Sequence, residues 1–202
     1  HTHATLYFGA SVAMSSDGKV VVVGAYLAQN TVYREGAAYV YEYTGSADGV
    51  YSGGSWVHRS TLLPPTPESS GHFGQRVEIS GDANYVLIGE ANDDVGGVAN
   101  VGGAHVYVRS GNAWNFQQSL VDPDAQPSDY MGKSISINSD GTHILAGAPY
   151  DDGPTGGAVI ENAGKVLHFK RTGTTWAYSA TIYAPTPTAN DLFGADSSTS
   201  IS

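Results

Sequence analysis

One segment of nineteen residues occurs three times in the chain, and this repetition limits the fold more than any other feature of the sequence. The copies read FGASVAMSSDGKVVVVGAY from Phe8, FGQRVEISGDANYVLIGEA from Phe73 and MGKSISINSDGTHILAGAP from Met131, and a fourth begins at Phe193. Their starting points are 65, 58 and 62 residues apart. Such a period indicates one supersecondary unit formed several times, because each unit needs its neighbours to bury its apolar faces.

Two further markers recur in step with this segment. A glycine opens a third apolar run in each unit, at Gly36, Gly103 and Gly164. A tryptophan opens a fourth run, at Trp56, Trp114 and Trp176. Short Asp-Gly turns such as Asp17-Gly18 separate the first two runs, which is a hairpin signal. Each unit therefore reads as four antiparallel strands, the blade of a β-propeller, with the tryptophan as a packing residue.

The predicted fold class is all-β. We predict three full blades, at about 7–66, 72–127 and 130–188, and the first strand of a fourth at about 192–202. Propellers close with about four to eight blades, so the predicted ring is incomplete. Two explanations stay open: the chain is part of a larger propeller, or its open ends assemble with further copies of itself.

Composition excludes several classes of partner. The formal charge of −10 repels phosphate backbones and anionic lipids, so we expect no nucleic-acid partner. No window approaches 18 consecutive apolar residues, so we expect no direct membrane insertion. The first twenty residues lack the pattern of a secretion signal, which fits either a removed signal or an internal segment. The absence of cysteine excludes disulfides and thiolate metal sites and leaves the compartment open.

The three repeated segments, with their downstream glycine and tryptophan, resemble the FG-GAP repeat family of integrin α-subunit propellers and many surface proteins. The likeness covers essentially the whole chain. It implies a non-catalytic propeller module at an extracellular or cell-surface location. Integrin-type repeats hold calcium in the loop between the first two strands, whereas each corresponding loop here offers a single carboxylate, Asp17, Asp82 or Asp140. The chain thus resembles a short-turn variant of the family without the calcium loop.

Acidic pairs after the second strand are candidate metal ligands. They are Asp93 with Asp94 and Asp151 with Asp152, each inside a glycine-rich loop whose carbonyls could complete a calcium site. The alternative is that these side chains cap turns. No other cofactor is expected, because the seven histidines show no zinc spacing. A free amino terminus at His1, with His3, could also chelate copper or nickel.

Two further sets of residues are candidate surface sites. Tyr39, Tyr41 and Tyr43 alternate along a strand and so share one face, which could stack on sugar rings or a protein if exposed. Thr66, Thr186 and Thr188 lie in proline-rich links between blades and are predicted O-glycosylation sites.

We expect no enzyme activity, since the nucleophile-elbow and phosphate-loop motifs are absent and the acids lie mainly in turns. The first hypothesis is an interaction or adhesion module that binds a protein or glycan at the cell surface. The second is a structural subunit of a glycosylated surface appendage, filament or sheath. The third is an accessory domain of a larger secreted enzyme.

Overall fold

Three antiparallel sheets of four strands each make up the fold in a computed structural model, which describes residues 7–45, 53–153 and 159–195. The first blade contains β1 (Ser11–Met14), β2 (Val20–Ala25), β3 (Ala37–Tyr43) and β4 (Trp56–Leu62). The second contains β5 (Arg76–Ile79), β6 (Tyr85–Glu90), β7 (Gly103–Ser110) and β8 (Ala113–Leu120). The third contains β9 (Ser134–Ile137), β10 (His143–Ala148), β11 (Lys165–Thr172) and β12 (Thr175–Ile182).

The prediction of β-propeller blades is confirmed, because the strands of each sheet pair in chain order. The described ranges contain strands and turns but no helix, and so no helix capable of crossing a membrane. The strand predicted for a fourth blade falls largely on 196–202, outside the described residues. The predicted position of the repeated glycine in blade 2, Gly103, is wrong by one residue. Gly102 forms a bridge with Met131 as Gly36 does with Phe73, so Gly102 is the repeated glycine.

The first hairpin of each blade is closed by its single aspartate. Asp17 Oδ1 accepts hydrogen bonds from the Ser15 hydroxyl at 2.6 Å and the Lys19 amide at 2.9 Å. The bond from Ser15 is the largest of the effects that lower the pKa of Asp17. Asp82 is held in the same way by Ser80 and Asn84. These carboxylates therefore complete turns, which explains why one per loop suffices.

Neighbouring blades pack face to face. We call the face of a blade that contacts the preceding blade its leading face, and the opposite one its trailing face. Between blades 1 and 2, the trailing face supplies Val20, Val22, Val40 and Leu62, and the leading face supplies Phe73, Val77, Ile79, Val86, Ile88, Tyr107 and Trp114. A second cluster repeats this arrangement between blades 2 and 3, with Trp176 in place of Trp114. The middle strands of blade 2 are thus covered on both sides, which explains their apolar sequences.

The leading face of blade 1 has no such cover in the described structure. Val12, Met14 and Trp56 are 65%, 54% and 42% exposed. Their equivalents in blade 2 (Val77, Ile79 and Trp114) and in blade 3 (Ile135, Ile137 and Trp176) are all buried. The first blade therefore presents the apolar surface that blades 2 and 3 use for stacking.

The repeated glycine allows the link from one blade to reach the next. Gly36, Gly102 and Gly164 form parallel bridges with Phe73, Met131 and Phe193. Gly102 has a φ of 78°, and a Cβ there would collide with the carbonyl of Met131. Both the backbone conformation and the close approach exclude a side chain at this position.

We predict that Gly102→Ala lowers the free energy of unfolding by about 3 kcal/mol or more, since it adds a backbone clash to the strain of a positive φ. Gly96→Ala is the matched control, because Gly96 has a φ of 64° but open space around it. It should cost only about 1 kcal/mol. Urea unfolding of both variants measures the difference, and equal losses would contradict the role assigned to the close approach.

A second prediction concerns Glu78, which lies on β5 between Val77 and Ile79. Burial raises the pKa of Glu78 from 4.5 to about 7. Because the folded state holds this proton more tightly than the unfolded chain, its contribution to stability is complete below pH 4.5 and is lost as the pH rises through about 7. At pH 8, Glu78→Gln should exceed the wild type in unfolding free energy by roughly 1 to 3 kcal/mol, and near pH 4 the two should match.

Chemical unfolding at several pH values tests this expectation. Glu161→Gln, at an exposed loop position, is the control for the removal of one carboxylate. A Glu78→Gln protein whose profile follows that of the wild type would rule out the proposed titration.

Candidate functional site

The loops that follow the second strand of each blade lie beside the links that enter the first strand, and together they form one surface, here called the loop surface. Tyr7, His72, Tyr130 and Leu192 each precede the repeated Phe-Gly or Met-Gly pair, with φ values of 61°, 63°, 54° and 52°. Such φ values are uncommon outside glycine and cost free energy. The fold therefore imposes the same unusual conformation at one point of every blade, and three of these side chains are aromatic rings.

These rings contact further aromatic side chains from the adjacent loops. Tyr26 lies 5.3 Å from Tyr7 and 5.4 Å from His72, measured between ring centroids. In the next blade the Tyr130 and Tyr150 rings are 5.4 Å apart, with an angle of 66° between their planes. The loop surface thus carries aromatic groups from all three blades, at centroid distances typical of packed aromatic pairs.

A cavity of about 390 Å³ opens on this surface between blades 2 and 3. It is lined by His72, Gln75, Ala91, Asn92, Tyr130, Lys133 and Tyr150. The Lys133 ammonium lies 4.8 Å from the centroid of the Tyr150 ring. Burial is the largest cause of the lowered pKa of His72, so the imidazole is neutral at physiological pH. Two tyrosine rings, two amides, a neutral imidazole and one cation therefore surround a space large enough for a small ligand.

The two members of each predicted acidic pair have different surroundings. Asp94 Oδ1 accepts from the Asn100 amide at 2.8 Å, and Asp152 Oδ1 accepts from the Asn162 amide at 3.0 Å, so both cap their own loops. Asp93 and Asp151, in contrast, lie at equivalent positions in the junctions between blades. Calcium coordination by the pairs stays a prediction, and the hydrogen bonds of Asp94 and Asp152 fit the alternative of turn capping.

Asp151 belongs to a buried ion pair. Lys165 Nζ lies 2.6 Å from Asp151 Oδ2 and 2.6 Å from Asp122 Oδ2, and the three side chains are at most 6% exposed. Burial opposes the charge of Lys165, but the bonds to both carboxylates raise its pKa overall. Asp129 lies beside them, and burial raises its pKa to about 6. The lysine thus supplies the cation that holds these acids between blades 2 and 3.

We predict that Lys165→Ala costs about 3 to 5 kcal/mol of stability, because it leaves Asp122 and Asp151 buried without a counter-charge. The double variant Lys165→Ala with Asp151→Ala should recover part of this loss, since blade 1 carries Ala37 and Ala28 at the equivalent positions. Urea unfolding of the three proteins measures both effects. A double variant less stable than the single one would contradict the assignment.

The predicted tyrosine face lies on the leading face of blade 1. Tyr41 is equivalent to Tyr107 and Phe169, which are 4% and 2% exposed against the preceding blade. Tyr39 and Tyr41 are half-buried beside Phe8 and His58, whereas Tyr43 is only 5% exposed and packs on Trp56. The burial of Tyr43 removes it from any exposed face, and the other two lie where blades stack.

The predicted glycosylation sites are exposed. Thr66, Thr186 and Thr188 all lie on the surface of the links between blades. The Thr188 hydroxyl donates a hydrogen bond of 2.6 Å to Asp191. Accessibility is compatible with modification, and O-glycosylation stays a prediction.

Sequence reasoning missed the aromatic residues of the loop surface. Three of them, Tyr7, His72 and Tyr130, directly precede the repeated Phe-Gly or Met-Gly pair, so their position relative to the motif was a usable signal. Glu90 and His105 were missed as partners of Asp93. They are far apart in the sequence and become neighbours only when β6 pairs with β7.

Comparison with known families agrees with this architecture. The family model of the FG-GAP repeat matches residues 2–41 and 114–164, which include the opening of blade 1 and the junction between blades 2 and 3. These two segments are thus similar to the FG-GAP repeat, in agreement with the resemblance seen in the sequence. No match was found among curated proteins.

A solved structure with a similar fold is Sqt1 of Saccharomyces cerevisiae, with a TM-score of 0.54 and 9% sequence identity. The likeness covers 91% of this chain but only 37% of Sqt1. At this identity the comparison shows the fold alone. It agrees with the all-β arrangement of the described strands.

Proposed function

We propose that this FG-GAP protein is a non-catalytic binding module of an extracellular or cell-surface protein, and that it binds glycans through its loop surface. The main observation in support is the cavity between blades 2 and 3, where Tyr130 and Tyr150 lie beside polar side chains. Aromatic faces stack on the apolar faces of sugar rings, and amides pair with hydroxyls, so this combination fits a carbohydrate chain. The FG-GAP repeats support the choice of a surface-exposed interaction module.

Rigid support strengthens this proposal. The cavity is lined by loops from two blades, and those blades are joined by the buried cluster that contains Leu87, Met131 and Ile144 and by the Lys165 ion pair. Binding groups on such a scaffold lose little conformational freedom when a ligand arrives. The net charge of −10 also favours neutral ligands over anionic ones.

We expect Tyr130→Ala and Tyr150→Ala each to weaken glycan binding about tenfold or more, because each removes one stacking surface, and a tenfold loss is about 1.4 kcal/mol. Screening the purified chain on a glycan array identifies the ligand, and calorimetry on that ligand then measures both variants. Tyr178→Ala is the matched control, since Tyr178 is 44% exposed on β12 and does not line the cavity. The proposal fails if no glycan binds, or if the two variants bind as well as the control.

A second function, assembly through stacked blades, is favoured by the leading face of blade 1. Val12, Met14 and Trp56 are exposed there, although their equivalents in the next two blades are buried. In this alternative the chain is a structural subunit whose partner is a further FG-GAP blade, from another copy or from another part of a larger propeller. Light scattering distinguishes the two functions: assembly that Trp56→Ala disrupts would support the second, and a monomer at high concentration would exclude self-association.

A further inference from the structure

One position in each blade is filled in three different ways. It lies where the second strand ends and the third begins. In blade 1 it is apolar, with Ala25, Ala28 and Ala37 in one cluster. In blade 3 it holds an internal salt bridge, since Asp151 and Lys165 replace Ala28 and Ala37. Blade 1 thus carries no charge at this position, and blade 3 pairs its aspartate with a lysine.

Blade 2 places three metal-binding side chains at this position. Glu90 and Asp93 replace Ala25 and Ala28, and His105 replaces Tyr39 on the paired strand. His105 Nε2 lies 3.0 Å from Glu90 Oε2 and 4.0 Å from Asp93 Oδ2. One donor atom from each residue lies within 4.8 Å of the other two. Three potential metal-ligand atoms, from β6, the loop that follows it and β7, thus lie close together.

This cluster lacks a cation of its own. Gly103 stands where blade 3 has Lys165, and a Cβ on Gly103 would be 3.4 Å from Asp93 Oδ2 and 3.8 Å from His105 Nε2. Among the described residues, neither Glu90 nor Asp93 pairs with a lysine or arginine. The carboxylate of Glu68 lies nearby and adds to the negative charge. Blade 2 therefore keeps Asp93 at the position of Asp151 but lacks the ammonium that pairs with Asp151.

Two buried polar atoms of the cluster have no hydrogen-bond partner. They are Glu90 Oε1 and His105 Nε2, on residues that are 1% and 2% exposed. Although His105 Nε2 is close to Glu90 Oε2, the pair lacks hydrogen-bond geometry. Glu90 Oε1 lies over Gly71, where no side chain would fit. Unsatisfied atoms at this depth are costly and indicate a missing ligand.

Burial also opposes the charged form of all three side chains. It raises the pKa of Glu90 to about 8 and that of Asp93 to about 6, and it lowers the pKa of His105 to about 4. A neutral imidazole is the form that binds metals. A bound cation would in turn stabilise both carboxylates in their ionised form.

We propose that Glu90, Asp93 and His105 bind a divalent transition-metal ion of the zinc type at the junction of blades 1 and 2. One imidazole and two carboxylates suit zinc better than calcium, which takes six to eight oxygen ligands. A tetrahedral zinc ion needs ligand atoms about 3.3 Å apart, so the observed 3.0 and 4.0 Å require only small adjustments. His105 Nδ1 lies 2.9 Å from Ser119 Oγ, which orients the ring and leaves Nε2 for the metal.

The site differs from calcium binding by the Asp93-Asp94 pair, because Asp94 caps its own loop and contributes nothing to it. It is also separate from the loop between the first two strands, where Asp82 closes a hairpin turn. The ion would connect β6 and β7 at the blade junction and act structurally. The proposal does not rest on the proposed glycan site, although Ala91 and Asn92 of that cavity lie between Glu90 and Asp93 in the chain.

The repeats supply variants that the fold accepts. Glu90→Ala reproduces Ala25 and Ala148, Asp93→Ala reproduces Ala28, and His105→Leu reproduces Leu167. All proteins should carry His1→Ala and His3→Ala, which removes the terminal chelating group. After treatment with a chelator, each protein is titrated with zinc by calorimetry and with cobalt by visible absorption, and its melting temperature is measured with and without zinc.

The parent should bind one zinc ion, show the visible bands of cobalt with a mixed nitrogen and oxygen ligand set, and melt about 5 °C higher at a hundredfold excess over Kd. Each of the three variants should fold, lose the cobalt bands and bind zinc at least tenfold more weakly. Asp94→Asn is the control and should retain both signals. A parent without stoichiometric binding, variants that keep it, or binding that depends on Asp94 would each overturn the proposal.

Discussion

The structure depends on the close approach between one blade and the link into the next. A glycine at the start of each third strand has a positive φ and lies against the backbone of the following Phe-Gly or Met-Gly pair. This contact brings the leading face of one sheet onto the trailing face of the previous one, so that valines, isoleucines and a tryptophan can form the shared core. Because a four-stranded sheet cannot cover both of its faces, stacking rather than any single blade provides the hydrophobic stabilisation.

The same dependence explains why variation concentrates at the blade junctions. The strands must keep their apolar faces, whereas the junctions contain apolar, ion-paired or acidic groups. Blade 1 uses alanines, blade 3 uses Lys165 with Asp151, and blade 2 assembles Glu90, Asp93 and His105. Because the three blades share one fold, the residues of one blade show which side chains the equivalent positions of the other two can accept.

The loop surface is the other region where the blades diverge. Its loops are held by the stacked sheets but contribute little to the shared cores, so their side chains are free to serve recognition. Tyr130 is the residue with positive φ that precedes the Met-Gly pair of blade 3, and its ring lies 5.4 Å from that of Tyr150 on this surface. The leading face of blade 1, which includes Tyr41, is instead suited to contact with another blade.

The sequence by itself determined the repeat, the four strands of each blade and the resemblance to FG-GAP proteins, because these follow from local periodicity, turn residues and the spacing of glycine and tryptophan. It also located Asp93 and Asp151 in equivalent loops. Only the tertiary structure decided that Asp151 pairs with Lys165 while Asp93 faces Glu90 and His105, and that Gly102 is the glycine at the bridge. Those contacts depend on strand register and on how two blades meet, and both are long-range properties that a one-dimensional pattern does not contain.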